Sequence, residues 1–576
     1  MKIQSVGLIF VILSSVLIFP IAMEPINFPK FLILLVGGSV ILFLFFINQV
    51  NFLSKINKQV MLLVSLYLFL LLVAALVSKQ SVFATLTGTW GRNNGIIMSI
   101  LFMLFFMLFS IPSKNNISSQ ILKTLFYFGL FSSIYAWLQF FNKDPLQYYF
   151  SWYNKNDAII ITVGNSNFAS IFLAMTYSSA MVIFFSKPKF DYLRILAVMS
   201  IVTHLLLIPK LDTQGKISFG LSTVIIVGVV TVNSKYRYLR FAGFAWWILS
   251  LAVGIFGLLG LKGIGVFAGV LSDNIRSLSD RYYAWLAAIN MMKDSPLFGK
   301  GIDSFGFFYR NFRDPNSNEI VIGQPFITYD NAHNTYLQLG ATAGVPVLIV
   351  YLVLIILICW RSWVALRYSE DKVTIAGLLS IWLIYLLQSF VSMDQIGLAI
   401  WGWVSAGTLV GLSCHVNKEK LQSSYSTNDN SEGIKLKPIS VILGATIFLM
   451  PSVYYFPVLK NESNLYFAIR NIPILRDDVS KDKNFDRIIK EGYKAKQLEL
   501  RLTTVRYLGA SNKVNEAILL AEFSAKQEPR SFSAWHLVAG LYEISGRYKE
   551  AVPAREKTIQ LDPHNKIVKD LLRLIK

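Results

Sequence analysis

The sequence predicts an all-α protein, a polytopic transmembrane helix bundle of about 12–13 spans with a C-terminal helical-repeat domain. Three observations predict it. Hydrophobic residues make up 54% of the chain and charged residues only 15%, whereas a soluble chain carries about 25% charged residues. Apolar runs of bilayer-spanning length recur along most of the 576 residues, separated by short connections that hold the basic side chains. Beyond residue 460 the pattern changes, and residues 461–576 carry 21 Lys/Arg and 15 Asp/Glu.

Span-length apolar segments fall at 6–22, 31–47, 60–77, 94–112, 121–141, 163–185, 193–209, 216–232, 241–260, 336–359, 373–391, 396–412 and 440–457. Each is close to the ~20 residues that a helix needs to cross ~30 Å of hydrocarbon. Residues 2–22 also have the outline of a signal peptide. Their apolar stretch is long, no small-residue cleavage site is convincing, and more spans follow directly, so they read as the first transmembrane helix.

Basic residues alternate in density from loop to loop. One side carries Lys2, Lys55, Lys58, Lys114, Lys123, Lys187, Lys189, Arg194, Lys235, Arg237, Arg240, Arg361, Arg367, Lys372, Lys418, Lys420, Lys435 and Lys437. The short loops of the other side carry only Lys30, Lys79, Arg92, Lys143, Lys155, Lys210 and Lys216. The positive-inside rule makes the first side cytoplasmic. With an odd number of spans the C-terminal domain lies outside.

The expected domain plan is therefore helices 1–9 over residues 1–260, a long extracytoplasmic loop at 261–335, and helices 10–13 over 336–457. A Ser/Asn/Lys-rich cytoplasmic linker occupies 415–438, and the extracytoplasmic repeat domain occupies 461–576. Loops as long as 261–335 are usually functional. In the C-terminal part Glu516-Ala517 recurs as Glu550-Ala551, and Pro529 as Pro563, at a spacing of 34 residues. Trp535, Tyr542, Gly546, Tyr548, Ala551 and Pro563 resemble the tetratricopeptide pattern, in which small residues let paired helices approach. Such modules bind peptides or proteins and rarely carry chemistry; a generic helical hairpin is the plainer alternative.

A net charge of +21 raises the question of nucleic acid, but the cations sit between apolar runs rather than on one face, which excludes that partner. Cys359 and Cys414 lie at the ends of apolar segments without metal-ligand spacing, and read as inert thiols. No metal site, Walker loop, Rossmann fingerprint or Ser-His-Asp order is visible, so neither a metal nor a cofactor is expected.

Candidate chemistry lies in five patches on the outer side. Arg92, within Trp90-Gly91-Arg92-Asn93-Asn94-Gly95, is either a ligand-binding cation or a snorkelling anchor. Gly164-Asn165-Ser166-Asn167-Phe168 is either a helix cap or an anion-binding helix start. Asp212-Thr213-Gln214-Gly215-Lys216 opens a span with a cation that Asp212 could pair, because an unpaired one costs a few kcal/mol in a bilayer. Arg281-Tyr282-Tyr283-Ala284-Trp285 reads as an amphipathic surface helix, followed by the Gly-rich turn Pro296-Leu297-Phe298-Gly299-Lys300-Gly301. Asp330-Asn331-Ala332-His333-Asn334-Thr335-Tyr336-Leu337 ends at the membrane edge. The chain has five His; His204, His415, His536 and His564 have bland settings, whereas His333 could act as a base near neutral pH or be purely structural.

Asp330 through Gly340, followed by Gly344, resembles the His-Asn signature of O-antigen ligases. The Arg281…Trp285…Pro296…Gly299…Gly301 run is similar to the stretch that precedes that signature. Gly91-Arg92-Asn93-Asn94-Gly95 and Gly164-Asn165-Ser166-Asn167 resemble patches of ligase-like members that carry C-terminal tetratricopeptide repeats. The resemblance implies transfer of a glycan from an undecaprenyl-pyrophosphate carrier to a glycan, lipid or protein acceptor, outside the cytoplasmic membrane and without nucleotide or metal. It implies His333 as the general base or acceptor-orienting residue, and Arg92, Lys216, Arg281 and Asn334 as substrate-binding residues. Where the family commonly shows Thr-Gln-Ser-Arg-Gly, this chain has Thr213-Gln214-Gly215-Lys216-Ile217, which keeps the charge and loses the bidentate fork. Two other classes remain to be weighed: a transporter or flippase of lipid-linked glycans, expected to show paired broken helices near the midplane, and a non-catalytic cell-wall assembly scaffold.

Overall fold

The computed structural model describes residues 3–48, 56–78, 80–112, 116–146, 159–186, 191–261, 268–317, 328–422, 438–475 and 477–576. Among them every regular element is a helix, as the apolar periodicity predicts. Among the described residues nine helices can cross a membrane by length and composition: Asn27–Phe45, Lys58–Val77, Ile117–Phe140, Ser166–Ser186, Tyr192–Lys210, Thr213–Val232, Val345–Tyr368, Lys372–Val391 and Ile396–Cys414. Ile3–Val16 and Ile96–Phe109 are shorter apolar helices. Arg237–Leu261 and Pro438–Asn471 cover the remaining two expected spans. The multi-pass character is thus secure. Lys2, Lys55, Lys79, Lys114, Lys155, Lys187, Lys189, Lys435 and Lys437, together with residues 423–437 of the expected linker, lie outside the described residues.

Three expectations need correction. The first helix ends at Val16 rather than near residue 22, because Pro20 offers no N–H and pushes Phe19 toward extended backbone. The tenth span does not begin at 336: a short helix, Thr335–Ala343, stops at Gly344, and a separate 24-residue helix runs from Val345 to Tyr368. Gly344 has φ +99°, and a Cβ there would lie 2.2 Å from the Leu297 carbonyl oxygen. Only glycine fits that break. Finally, residues 261–335 are not an open loop, since they contain the helices Ala268–Asp294 and Phe305–Phe312. The amphipathic helix expected at Arg281–Trp285 is present as the second half of Ala268–Asp294 and begins well before Arg281.

Aromatic packing and buried hydroxyls hold the spans together. Trp382 and Trp403 stand 5.5 Å apart, and Tyr351 lies 5.9 Å from Trp403. Trp401 donates to Ser15 Oγ at 2.6 Å. Ser178 and Ser222 bond across two spans at 2.7 Å, the polar contact that substitutes for a hydrophobic drive between helices in lipid. Lys372, at the start of Lys372–Val391, donates to Asn233 just past the end of Thr213–Val232, so these two helices run antiparallel. Their opposite ends, near Lys216 and Asp394, share one side of the bundle.

The helix Pro438–Asn471 continues unbroken from the last expected span into the C-terminal helices. These are Asp478–Lys494, Leu498–Ala510, Val514–Gln527, Phe532–Ile544, Tyr548–Leu561 and Lys566–Ile575, and most pack on the next in sequence. Starts at Leu498 and Phe532, and at Val514 and Tyr548, share a 34-residue period. Buried Ala517, Ala521, Ala539 and Ala551 line the contacts. This set docks on the rest of the chain through Asp562, fully buried, which accepts from Arg313 Nη2 at 2.7 Å and from Arg310 Nη1 at 3.0 Å.

Candidate functional site

The residues 330–334 form a turn whose every step is tied. Asn331 Oδ1 accepts from the His333 backbone N–H at 2.8 Å, and Gln338 Oε1 accepts from the Ala332 N–H at 2.8 Å. Asn334 caps the helix Thr335–Ala343, its Oδ1 accepting from Leu337 N–H at 2.9 Å. Sequence order explains this: Asn side chains compete for local backbone donors in turns and at helix starts. His333 is left in the left-handed region at φ +47°. A non-glycine residue there costs about 1 kcal/mol or more and persists only where its surroundings impose it. The Tyr329 ring meets the imidazole edge-on at a centroid distance of 6.0 Å.

Arg92 reaches this turn from a distant part of the chain. Its Nε and Nη2 both contact Asp330 Oδ2 at 2.7 Å. The segment that carries Arg92 is pinned on three sides. Thr89 N–H donates to Asp303 Oδ2 at 2.7 Å, Asn27 Nδ2 donates to the Gly91 carbonyl at 2.7 Å, and Asn94 Nδ2 donates to the Asp394 carbonyl at 2.8 Å. Gly88, at φ +79°, admits the Asp303 carboxylate where a Cβ would stand 2.5 Å from it.

Two carboxylates that the sequence reading did not single out lie under the turn. Burial pushes Asp303 up to about 7, with backbone donation from Thr89 opposing, the Asp330 charge adding and the Arg92 charge opposing. Burial pushes Asp394 up to about 6 against hydrogen bonds from Tyr385, Thr335 and Ser389. Both border a cavity of about 90 Å³ that Asn94, Ser99, Asn331 and Thr335 also line. Their only signal in the sequence is a carboxylate beside an apolar segment, which is costly unless it has work or partners; Asp394 directly follows such a segment.

The other expected site residues are placed less closely. Arg281 lies one turn before Trp285, whose ring packs on Phe390 at 5.8 Å. Its helix meets the motif helix through Ala287, Ala288 and Met291 against Ala332 and Ala341. The Gly-rich turn wraps the same helix end, with Lys300 N–H donating to the Ala341 carbonyl at 3.0 Å and Val345 N–H to the Pro296 carbonyl at 2.8 Å. Lys216 is exposed on the first turn of Thr213–Val232 and has no ion pair among the described residues. Asp212 does not pair with it: one carboxylate oxygen, Oδ2, is buried without a partner there, and its backbone N–H donates to Ser170 Oγ at 3.0 Å. After Gly164, Asn165 Oδ1 accepts from Asn167 N–H at 2.8 Å, a local turn at the start of the helix Ser166–Ser186. His204 is a core residue, bonded to Thr176 Oγ1 at 3.0 Å and to the Ser200 carbonyl at 2.7 Å.

The structure therefore joins the Arg92 and His333 segments directly, packs the Arg281 helix beside them, and sets Lys216 at the same end of the bundle on a helix that packs against Lys372–Val391. Residues 157–352 match the profile of the O-antigen ligase family. The matched stretch holds Lys216, Arg281, His333 and Asn334 and leaves Arg92 outside. No curated protein matches the chain. The O-antigen ligase match supports a membrane glycan ligase or polymerase, an activity that takes a lipid-linked glycan donor and an acceptor.

Proposed function

We propose that the chain transfers a glycan from an undecaprenyl-pyrophosphate carrier to a hydroxyl of a glycan, lipid or protein acceptor, at the outer face of a bacterial cytoplasmic membrane. His333 takes the proton of the acceptor hydroxyl as its oxygen attacks the anomeric carbon. The bond from that carbon to the pyrophosphate oxygen breaks, and undecaprenyl pyrophosphate leaves with the electron pair. Lys216 and Arg281 stabilise the charge that grows on the leaving group, which in a low-dielectric site is worth several kcal/mol. Arg92 is already met by Asp330, so it serves the donor only if it shares its guanidinium between carboxylate and phosphate. Its second task is to hold the turn that presents His333.

The observation that carries this reading is the His333 turn itself. It lies within the O-antigen ligase match, keeps a strained backbone under several side-chain bonds, and meets a cation from outside the matched stretch. A transporter is expected to break its helices inside the span. Here the break at Gly344 precedes a helix that is of full spanning length by itself, which favours the enzyme. The C-terminal helices, read as tetratricopeptide-type, would serve the acceptor or a protein partner.

The test is His333→Ala in membranes supplied with lipid-linked glycan. Transfer should fall by ~100-fold or more, the usual worth of a positioned acid–base group, at unchanged protein level. Transfer at the wild-type rate would sink the catalytic assignment. In a strain lacking the chain, accumulated full-length lipid-linked glycan identifies a ligase, and loss of polymer length identifies a polymerase.

A further inference from the structure

Between the C-terminal helices and the His333 segment lies a cleft of about 310 Å³. One wall is Thr89, Trp90, Phe307, Thr328 and Asp330; the other belongs to Leu498–Ala510 and the start of Phe532–Ile544. Asp330 is the carboxylate that bonds Arg92, so the cleft opens next to the reacting end of the site. It adjoins a smaller cavity that shares Trp90, Phe307 and Glu499.

Its chemistry is mixed in a specific way. Trp90 and Phe307 offer ring surface, and Phe532 stacks at 5.5 Å on His536 while Arg310 lies 4.0 Å over its face. Around these rings stand Thr503, Arg506, Ser531 and Ser533. Two buried polar atoms have no partner among the described residues: Thr328 Oγ1 in the cleft and Gln497 Oε1 in the adjoining cavity. A buried polar atom without a partner costs about 1–3 kcal/mol and calls for an occupant that supplies a hydrogen bond. Rings flanked by hydroxyl, amide and ionic groups suit a ligand with apolar C–H faces and hydroxyl edges. The volume is at the lower end of the ~300–1,000 Å³ typical of pockets that enclose small ligands, room for a short saccharide segment.

We propose that this cleft binds a saccharide segment, held between the C-terminal helices and the Trp90 and Phe307 wall, so that the C-terminal domain contributes directly to substrate binding. This deepens the glycan-transfer reading and rests on it for the source of the saccharide. The lipid end of the donor stays at the membrane, so the segment in the cleft is the sugar chain of either donor or acceptor.

The probe is a set of oligosaccharides released by mild acid from the surface polysaccharide of the producing cells. Their binding to the full-length chain in detergent is measured at equilibrium. Wild type binds them, and Thr503→Trp, which fills the cleft, weakens binding by about tenfold, equivalent to ~1.4 kcal/mol. Ser533→Trp, from the other helix of the same wall, gives the same loss and guards against one variant that folds poorly. His333→Ala leaves binding intact even where transfer is abolished, so failure of the cleft and failure of the catalytic reading are separately visible. In transfer assays a raised KM for acceptor alone assigns the segment to the acceptor, and a raised KM for donor alone assigns it to the donor. Unchanged affinity in both Trp variants overturns the proposal. So does absence of binding to wild type, which would leave the cleft to a protein segment.

Discussion

Arg92 and Asp330 are the residue pair on which the geometry of the His333 turn depends. Their side chains are 30% and 42% exposed, so as an ion pair they add little to stability, about 0–1 kcal/mol. Their effect belongs in the reaction. Arg92→Lys keeps the charge but cannot place two donors on Asp330 Oδ2, and Asp330→Asn keeps the shape but loses the charge. Each should lower kcat/KM by roughly tenfold, ~1.4 kcal/mol. Combined, they should cost little more than the larger single loss, since both break one contact. Fully additive losses in that cycle would mean that Arg92 and Asp330 act separately, for instance with Arg92 on the phosphates. The sequence made Arg92, Lys216, Arg281, His333 and Asn334 visible because cations and a His stand out against apolar runs. Asp303 and Asp394 stayed hidden because their roles come from burial and from partners distant in sequence, Thr89 and Thr335 among them.

At the level of elements, the site is a helix start clasped by a glycine turn. Thr335–Ala343 ends where Gly344 passes under Leu297, and the backbone of residues 296–301 bonds to its last carbonyls. Gly344→Ala places a Cβ 2.2 Å from a backbone oxygen at a positive φ. It should destabilise the protein by ~2 kcal/mol or more and reduce transfer together with the thermal midpoint in detergent. A variant that melts like wild type would show that the clasp is looser than drawn. Apolar length made nearly all the spans legible in the sequence. It failed at 261–335, where the helix Ala268–Asp294 mixes apolar and charged residues, and at 336–343, where a short, mildly apolar helix abuts a span and blurs into it. Both failures share a cause: hydropathy reports lipid exposure, and neither helix is built to face lipid along its whole length.

For the whole molecule the question is what holds the C-terminal helices beside the site. Arg310, Arg313 and Asp562 supply a buried cluster, and losing one partner of such a set leaves buried charge uncompensated at a cost of ~3–5 kcal/mol. Asp562→Ala should therefore free the C-terminal helices for limited proteolysis while leaving the spans folded. Protease resistance equal to wild type would place the main restraint elsewhere. These contacts also put the C-terminal helices on the same side of the bundle as His333, whichever side a topology reporter finds to be outer.

A second restraint titrates. Glu462 is fully buried where Pro438–Asn471 meets the segment before the second helix. It accepts from Trp90 Nε1 at 3.0 Å and from the Glu24 backbone N–H at 3.3 Å, and Gln497 Nε2 lies at 3.4 Å. Burial, with the neighbouring Glu24 charge adding, pushes its carboxyl up to about 8 against the bonds from Trp90 and Glu24. Glu24 is raised as well, by its own burial. The folded state thus holds a proton that an unfolded chain releases near 4.5. The contribution is complete below that value, shrinks as pH rises toward about 8, and is gone above it. Docking of the C-terminal helices should accordingly loosen between pH 5 and 8.5, seen as faster limited proteolysis after residue 471. Glu462→Gln removes the titration and keeps an acceptor for Trp90, so its proteolysis rate should change far less over the same range. If the two proteins respond to pH alike, the junction at Glu462 is not what makes the docking sensitive to protons.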